Sequence, residues 1–204
     1  MYTFSFLTEI LSSTYQTIIM DNSFYDETFD NVQKLEHGEY ENCSFQNCIL
    51  PNSDLSGYKF IDCTFKDCDL SMCKVDKTAF RNITFIRCKL MGIKFDICHE
   101  FLLSFTFEKC TLNFAYFSQT NIPNTSFKDC QLSEVDFTQC DLSEASFPNS
   151  NLDRTIFSQT NLKKADFSTA YNLKLDPNNN NISEASFSRE NILGLLTAFN
   201  INII

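Results

Sequence analysis

The chain has 204 residues, enough for one substantial domain or one array of small units, with 22 Phe, no Trp, 4 Gly and 4 Pro. Its formal net charge of −10 disfavours direct binding to nucleic acid or to an anionic membrane. No apolar run approaches the ~18 residues of a membrane-spanning helix.

Residues 1–20, MYTFSFLTEILSSTYQTIIM, carry Glu9 and lack both a basic leader and a small-residue cleavage site. They match no repeat and are read as an N-terminal extension whose deletion leaves the fold intact. A cytoplasmic protein is expected, and its 10 Cys are then reduced thiols rather than a disulfide framework.

An irregular repeat begins with Phe24, Phe29 and Leu35. From Tyr40 a large apolar residue recurs every five positions: Phe45, Leu50, Leu55, Phe60, Phe65, Leu70, and on to Phe95. A helix wants a period near 3.6 and a strand wants 2, so five demands another structure. The register breaks over 96–106 and resumes two residues late at Phe107, Leu112, Phe117 and Ile122. Taking every fourth large residue gives one column that is all Phe (45, 65, 85, 107, 127, 147, 167) and another that is all Leu (50, 70, 90, 112, 132, 152). Five inside twenty means four pentapeptides per turn, a four-sided β-solenoid over 21–170, with a local bulge at the break. The residue two before each large one is small and points inward with it, as alternate residues of an extended segment do. All the cysteines take this small position, so they are expected as buried core and not as metal ligands or redox centres. Phe101, Leu102 and Leu103 at the break are expected to plug the core, the alternative being a partner contact.

Beyond Tyr171 an Asn-rich loop, DPNNNN, and one more unit, ISEASF, lead to a capping helix with Ser188 as N-cap and Glu190 in its first turn. Ile192, Leu195, Leu196 and Phe199 are expected on one helical face, followed by a short strand containing Ile201 and Ile203. Residues 171–204 thus form a terminal unit that covers the open end of the stack and is the candidate dimer surface.

The runs CDLSEASF and NLKKADFSTA resemble the A(D/N)LxX pattern of pentapeptide repeat proteins, over about 40–170. The resemblance implies an all-β fold, a right-handed quadrilateral β-helix, here with a short C-terminal capping α-helix. Repeats and tail together look like the Qnr-type and microcin-immunity branch. That likeness implies a non-catalytic partner of bacterial type II topoisomerases, DNA gyrase or topoisomerase IV, offering an acidic, DNA-like rod. It also implies a homodimer through the C-terminal segment, and quinolone or toxin protection.

Charge supports the DNA-like rod only in part. Residues 1–47 hold eight acids and one base, whereas 48–101 hold seven acids and eight bases. The candidate contact residues Asp129, Glu134, Asp136, Asp141 and Glu144 fall, counted by fives, on all four walls as a belt. Projecting loops of the Qnr type are absent apart from the two-residue bulge. A second reading is therefore an interaction scaffold with another partner. An enzyme is not expected: His37 and His99 are the only two histidines, no Gly-rich phosphate loop occurs, and a packed solenoid leaves no pocket. No cofactor or metal is implied.

Overall fold

The computed structural model describes residues 22–199 and residue 201. The expected extension 1–20 and Ile203 lie outside the described residues. The rest is a β-solenoid of about eight turns with one short helix at its C-terminal end.

Each pentapeptide forms one wall and one corner. The small residue and the large residue point inward, and the two residues after the large one turn the chain. In Leu132–Val135 the amide of Val135 donates to the carbonyl of Leu132 at 3.3 Å, and Glu134 between them has φ 58°. The same i→i+3 turn recurs at Cys140 to Phe137 (3.0 Å) and Ala145 to Leu142 (3.1 Å). A positive φ at the third residue of a turn favours Gly or Asn. Here the position is also filled by Met72, Arg87, Phe114, Gln139 and Lys164. Axial hydrogen bonds offset that strain. Within one unit the amides of Leu132 and Glu134 donate to Asn151 and Asp153 one coil on, while Gln131 donates back to Cys110. Interior backbone groups are thereby paired along the rod axis.

Two of the walls contain regular parallel strands. One holds β1 (Asn22–Tyr25), β3 (Gly38–Glu41), β5 (Lys59–Ile61) and β7 (Ala79–Arg81). The next holds β2 (Thr28–Asp30), β4 (Ser44–Gln46), β6 (Thr64–Lys66), β8 (Ile83–Ile86), β9 (Phe105–Glu108) and β10 (Ser126–Lys128). Further along this wall β11 (Asp166–Phe167) pairs with β12 (Ser186–Phe187). The other two walls are joined by isolated parallel bridges such as Gln131 to Asn151 and Asp136 to Ile156. Register follows the expected columns, with Phe45 against Phe65 and Phe107 against Phe127. The first coil is shorter, since Phe24 lies against Tyr40 and Phe29 against Phe45.

The core is a set of stacked rings. Along the Phe column neighbouring ring centroids are 4.4 Å apart at Phe45–Phe65, 5.1 Å at Phe107–Phe127 and 4.8 Å at Phe147–Phe167. These are offset stacks within the favourable range for aromatic pairs. The Phe column survives the break, because Phe85 still stacks on Phe107 at 5.5 Å. It also survives the Asn-rich loop, where Asn180 donates to the Phe157 carbonyl at 3.1 Å and Phe187 stacks on Phe167 at 5.5 Å.

Cysteine in the small position does more than fill space. The thiols of Cys63, Cys73 and Cys88 donate to the carbonyls of Tyr40 (3.3 Å), Leu50 (3.0 Å) and Phe65 (3.3 Å), each 23 residues earlier. Thr78, Ser150 and Thr155 make the same bond with their hydroxyls. The position selects for small size, since Ala115, Val135 and Ala145 also fill it, and where Cys, Ser or Thr stands there its hydrogen is given to the coil before. All ten cysteines are free thiols; Cys98 at the break is half-buried and the other nine are buried.

Candidate interaction surfaces

The belt carboxylates are placed by the corner geometry. Asp129, Glu134 and Glu144 are corner residues with positive φ, while Asp136 and Asp141 stand outward on two different walls. The structure therefore spreads them around one turn and does not bring them together. It also shows them engaged. Glu134 pairs with Arg154 at 2.8 Å, Glu144 with Lys164 at 3.6 Å, and Asp129 accepts from Asn149 at 3.1 Å. Asp136 and Asp141 accept the amides of Thr138 and Ser143, closing their own turns at 2.8 and 2.9 Å.

A rule underlies these pairs that the sequence held in plain view. Glu39–Lys59, Asp67–Arg87, Asp69–Lys89, Glu108–Lys128, Glu134–Arg154 and Glu144–Lys164 all join an acid to a base twenty residues later. One coil separates the partners, so an outward column reads as an ion-pair ladder. Arg87 holds the Asp67 carboxyl below the usual carboxylate range. Individually these exposed pairs contribute little to stability, but each neutralises one carboxylate of the rod's middle. The first coils differ. Asp26, Glu27, Asp30 and Glu36 are exposed, and Tyr25, Asp26, Glu41, Asn42 and Asp62 line a depression of about 410 Å³.

At the other end α1 (Arg189–Leu196) starts as expected, with the Ser188 hydroxyl accepting the Asn191 amide at 3.1 Å. Its buried face, however, is not the expected one. Asn191 and Gly194 are buried and Leu195 packs on the core, whereas Ile192 is 46% exposed and Phe199 48%. The reason is polar. Asn191 donates both amide hydrogens, to the carbonyls of Phe167 at 2.8 Å and Ala170 at 2.7 Å, satisfying groups the open coil leaves unpaired. Gly194 lets the helix approach so closely that a β-carbon there would meet the Leu173 carbonyl. Leu196 is half-buried, and Ile201 is exposed beside Leu193.

The register break also departs from expectation. Leu103 is buried, but Phe101 is 58% and Leu102 62% exposed. Leu102 occupies the corner conformation with φ 59°. The space it vacates in the column Tyr40, Phe60, Phe80 is filled by Phe105, which sits in a small position yet lies 5.8 Å from Phe80 and 5.1 Å from Phe95. One oversized side chain replaces the plug. Outside it, Ile61, Arg81, Asn82, Leu102, Ser104 and Pro123 line a groove of about 500 Å³.

Among the described residues no group of three or more His, Cys, Asp or Glu is placed to hold a metal ion. No helix among them is long and apolar enough to cross a membrane.

Two models of one family match this chain: the pentapeptide repeat region over residues 39–117, and pentapeptide repeats over 106–139 and 130–169. Together they span more than half of it. The chain belongs to the pentapeptide repeat family. No curated protein is matched by the sequence. Among solved structures, a trypsin-treated form of QnrB1, a plasmid-mediated fluoroquinolone resistance protein, is similar with a TM-score of 0.52 and 17% identity, covering 91% of this chain and 100% of that one. HetL, a pentapeptide repeat protein involved in heterocyst differentiation regulation from the cyanobacterium Nostoc, covers 88% of this chain and 92% of its own, at 12% identity and a TM-score of 0.44. At such identities the likeness is one of fold. In this pentapeptide repeat protein the surfaces that sequence reasoning missed are those made by Asn191, Gly194 and Arg81. A lone Asn and Gly within an aliphatic helix were the available signal for the first two.

Proposed function

We propose that this pentapeptide repeat protein is a binding protein rather than an enzyme, and that its partner is a bacterial type II topoisomerase, DNA gyrase or topoisomerase IV. The observation that carries this reading is the rod itself, whose fold likeness to QnrB1 extends over that whole chain. The contact surface on this reading is centred on the acidic first coils, with Asp26, Glu41 and Asp62 around one depression, ahead of the belt at 129–144, where Glu134 and Glu144 are paired with Arg154 and Lys164. Basic channels that accept DNA respond to dense negative charge, and carboxylates without a base one coil on retain theirs. Exposed Ile192, Leu193, Phe199 and Ile201 at the opposite tip give a second copy an apolar surface to cover, which supports a homodimer.

The ion-pair ladders favour a second reading, a scaffold for a different partner, because they leave the rod's middle unlike DNA. Titrating the purified protein into a gyrase supercoiling assay, with and without a quinolone, separates the two. Rescue or inhibition at micromolar protein, weakened by Asp26→Lys with Glu41→Lys, supports the topoisomerase. No effect at large excess leaves the scaffold.

A further inference from the structure

We propose that the groove at the register break is a binding site for a protein segment in which a carboxylate side chain is flanked by an apolar one. Arg81 stands outward at the end of β7, where the coil above should supply the next residue of its column. The break removes that residue, since Leu103 turns into the core. In the ion-pair ladders a base meets an acid twenty residues earlier, but twenty residues before Arg81 stands Ile61. The guanidinium therefore makes no hydrogen bond or ion pair among the described residues, and its Nε is a buried donor without a partner. A buried, unpaired donor on a cation is costly, and in native structures such a group calls for an explanation.

The surroundings say what would satisfy it. Phe101 lies over the guanidinium, 5.3 Å from ring centroid to Cζ, and is itself 58% exposed, so it covers Arg81 without being held by the core. Beside it Leu102 takes the left-handed corner conformation that recurs around the coil, which holds its side chain outward, 62% exposed. Leu103, Pro123 and Ile61 continue the apolar wall, while Asn82 and Ser104 line the polar side. Ser104 is fixed by accepting the Asn82 amide at 2.9 Å, and Asp62 is occupied by the Asn82 side chain at 2.6 Å. Neither is placed to serve Arg81. A carboxylate can take two parallel N–H donors from a guanidinium edge, Nε with one Nη, which is the geometry left open once Phe101 swings aside. A neighbouring aliphatic side chain then rests on Leu102 and Pro123 in place of water.

The proposal does not depend on which protein the partner is. The test uses the full chain, labelled with ¹⁵N and ¹³C, with acetyl-Leu-Glu-Leu-amide as probe and acetyl-Leu-Gln-Leu-amide and acetate as comparisons. The expected result is a saturable shift of the Arg81 Nε–Hε resonance and of the Leu102 methyls by the Glu peptide, with an affinity of about 1 mM. The Gln peptide should bind about tenfold more weakly, as should the Glu peptide to Arg81→Met or to Leu102→Asn. The second variant suits the left-handed corner and guards against misfolding in the first. Equal shifts from the Gln peptide would overturn the carboxylate assignment. Equal shifts from acetate would reduce the site to free-anion binding and overturn the apolar half. Absence of any shift would overturn the site.

Discussion

Raising the pH from about 8 to about 10 should destabilise this protein through its own core. Cys63, Cys73, Cys88, Cys110 and Cys140 are buried, and their thiols are pushed from an ordinary 9.0 up to about 12, with Cys48 reaching about 11. Burial is the first cause for Cys48, Cys63, Cys73 and Cys140; for Cys88 and Cys110 it is the hydrogen bond to the next thiol of the column. The folded state keeps these groups neutral, while the unfolded chain ionises them from its ordinary value upward. Because the folded values are raised, the stability is complete below pH 9.0 and is lost as pH climbs towards the folded values. At about pH 10 each of Cys63, Cys73 and Cys140, whose shifts come first from burial, favours the unfolded chain by about 1 kcal/mol, a sizeable part of a native stability of ~5–15 kcal/mol. Burial also raises the Tyr40 hydroxyl, which acts in the same direction at still higher pH. Urea titrations followed by circular dichroism, in reducing buffer at several pH values across this window, measure the effect. Cys73→Ala, matching Ala115 in the equivalent position of a later coil, should recover about 1 kcal/mol of the loss at about pH 10. An unfolding midpoint that stays level across the window would refute the reasoning.

Three further perturbations address the core, the cap and a corner. Phe127→Ala removes a ring stacked at 5.1 Å on both Phe107 and Phe147, and should cost about 3–5 kcal/mol in urea unfolding. Asn191→Ala leaves the Phe167 and Ala170 carbonyls without their donor and should cost about 1–3 kcal/mol, with early loss of amide-exchange protection in the last coil. Phe114→Asn relieves a bulky side chain at φ 62° that is 47% exposed, and should raise stability by up to about 1 kcal/mol; a clear drop in the urea midpoint would mean that the ring's contacts outweigh the backbone strain.

Much of the fold was legible because a solenoid writes its geometry into its period. The all-Phe column across the break at 96–106 already fixed four units per turn, and Phe85 does stack on Phe107. What stayed hidden depended on competition between side chains for one space. Phe101, Leu102 and Leu103 were all expected in the gap above Phe80, but only Leu103 turned inward, and the ring of Phe105 took the remaining space. The helix at 189–196 misled for a similar reason. Its aliphatic residues suggested burial, but the end of an open coil presents carbonyl oxygens, and an Asn serves those better than a Leu. The belt at 129–144 was found on the expected walls, yet two of its five carboxylates, Glu134 and Glu144, are paired with Arg154 and Lys164, which became visible only once residues twenty apart were known to be neighbours.

That pairing bears on where any pentapeptide rod of this kind can act. Successive coils lie about 4.8 Å apart, so each outward residue has its nearest charged neighbours directly above and below it. Where the column is continuous, an acid meets a base, as Glu108 meets Lys128, or an amide meets an amide, as Gln119 donates to Gln139 at 3.0 Å. A group satisfied in this way has little left for a partner. Unspent interactions collect where columns are interrupted: at the short first coil with Glu41, at the break with Arg81 and Leu102, and at the cap with Ile192 and Phe199. The repeat builds the rod, and its three irregularities are where recognition has room to occur.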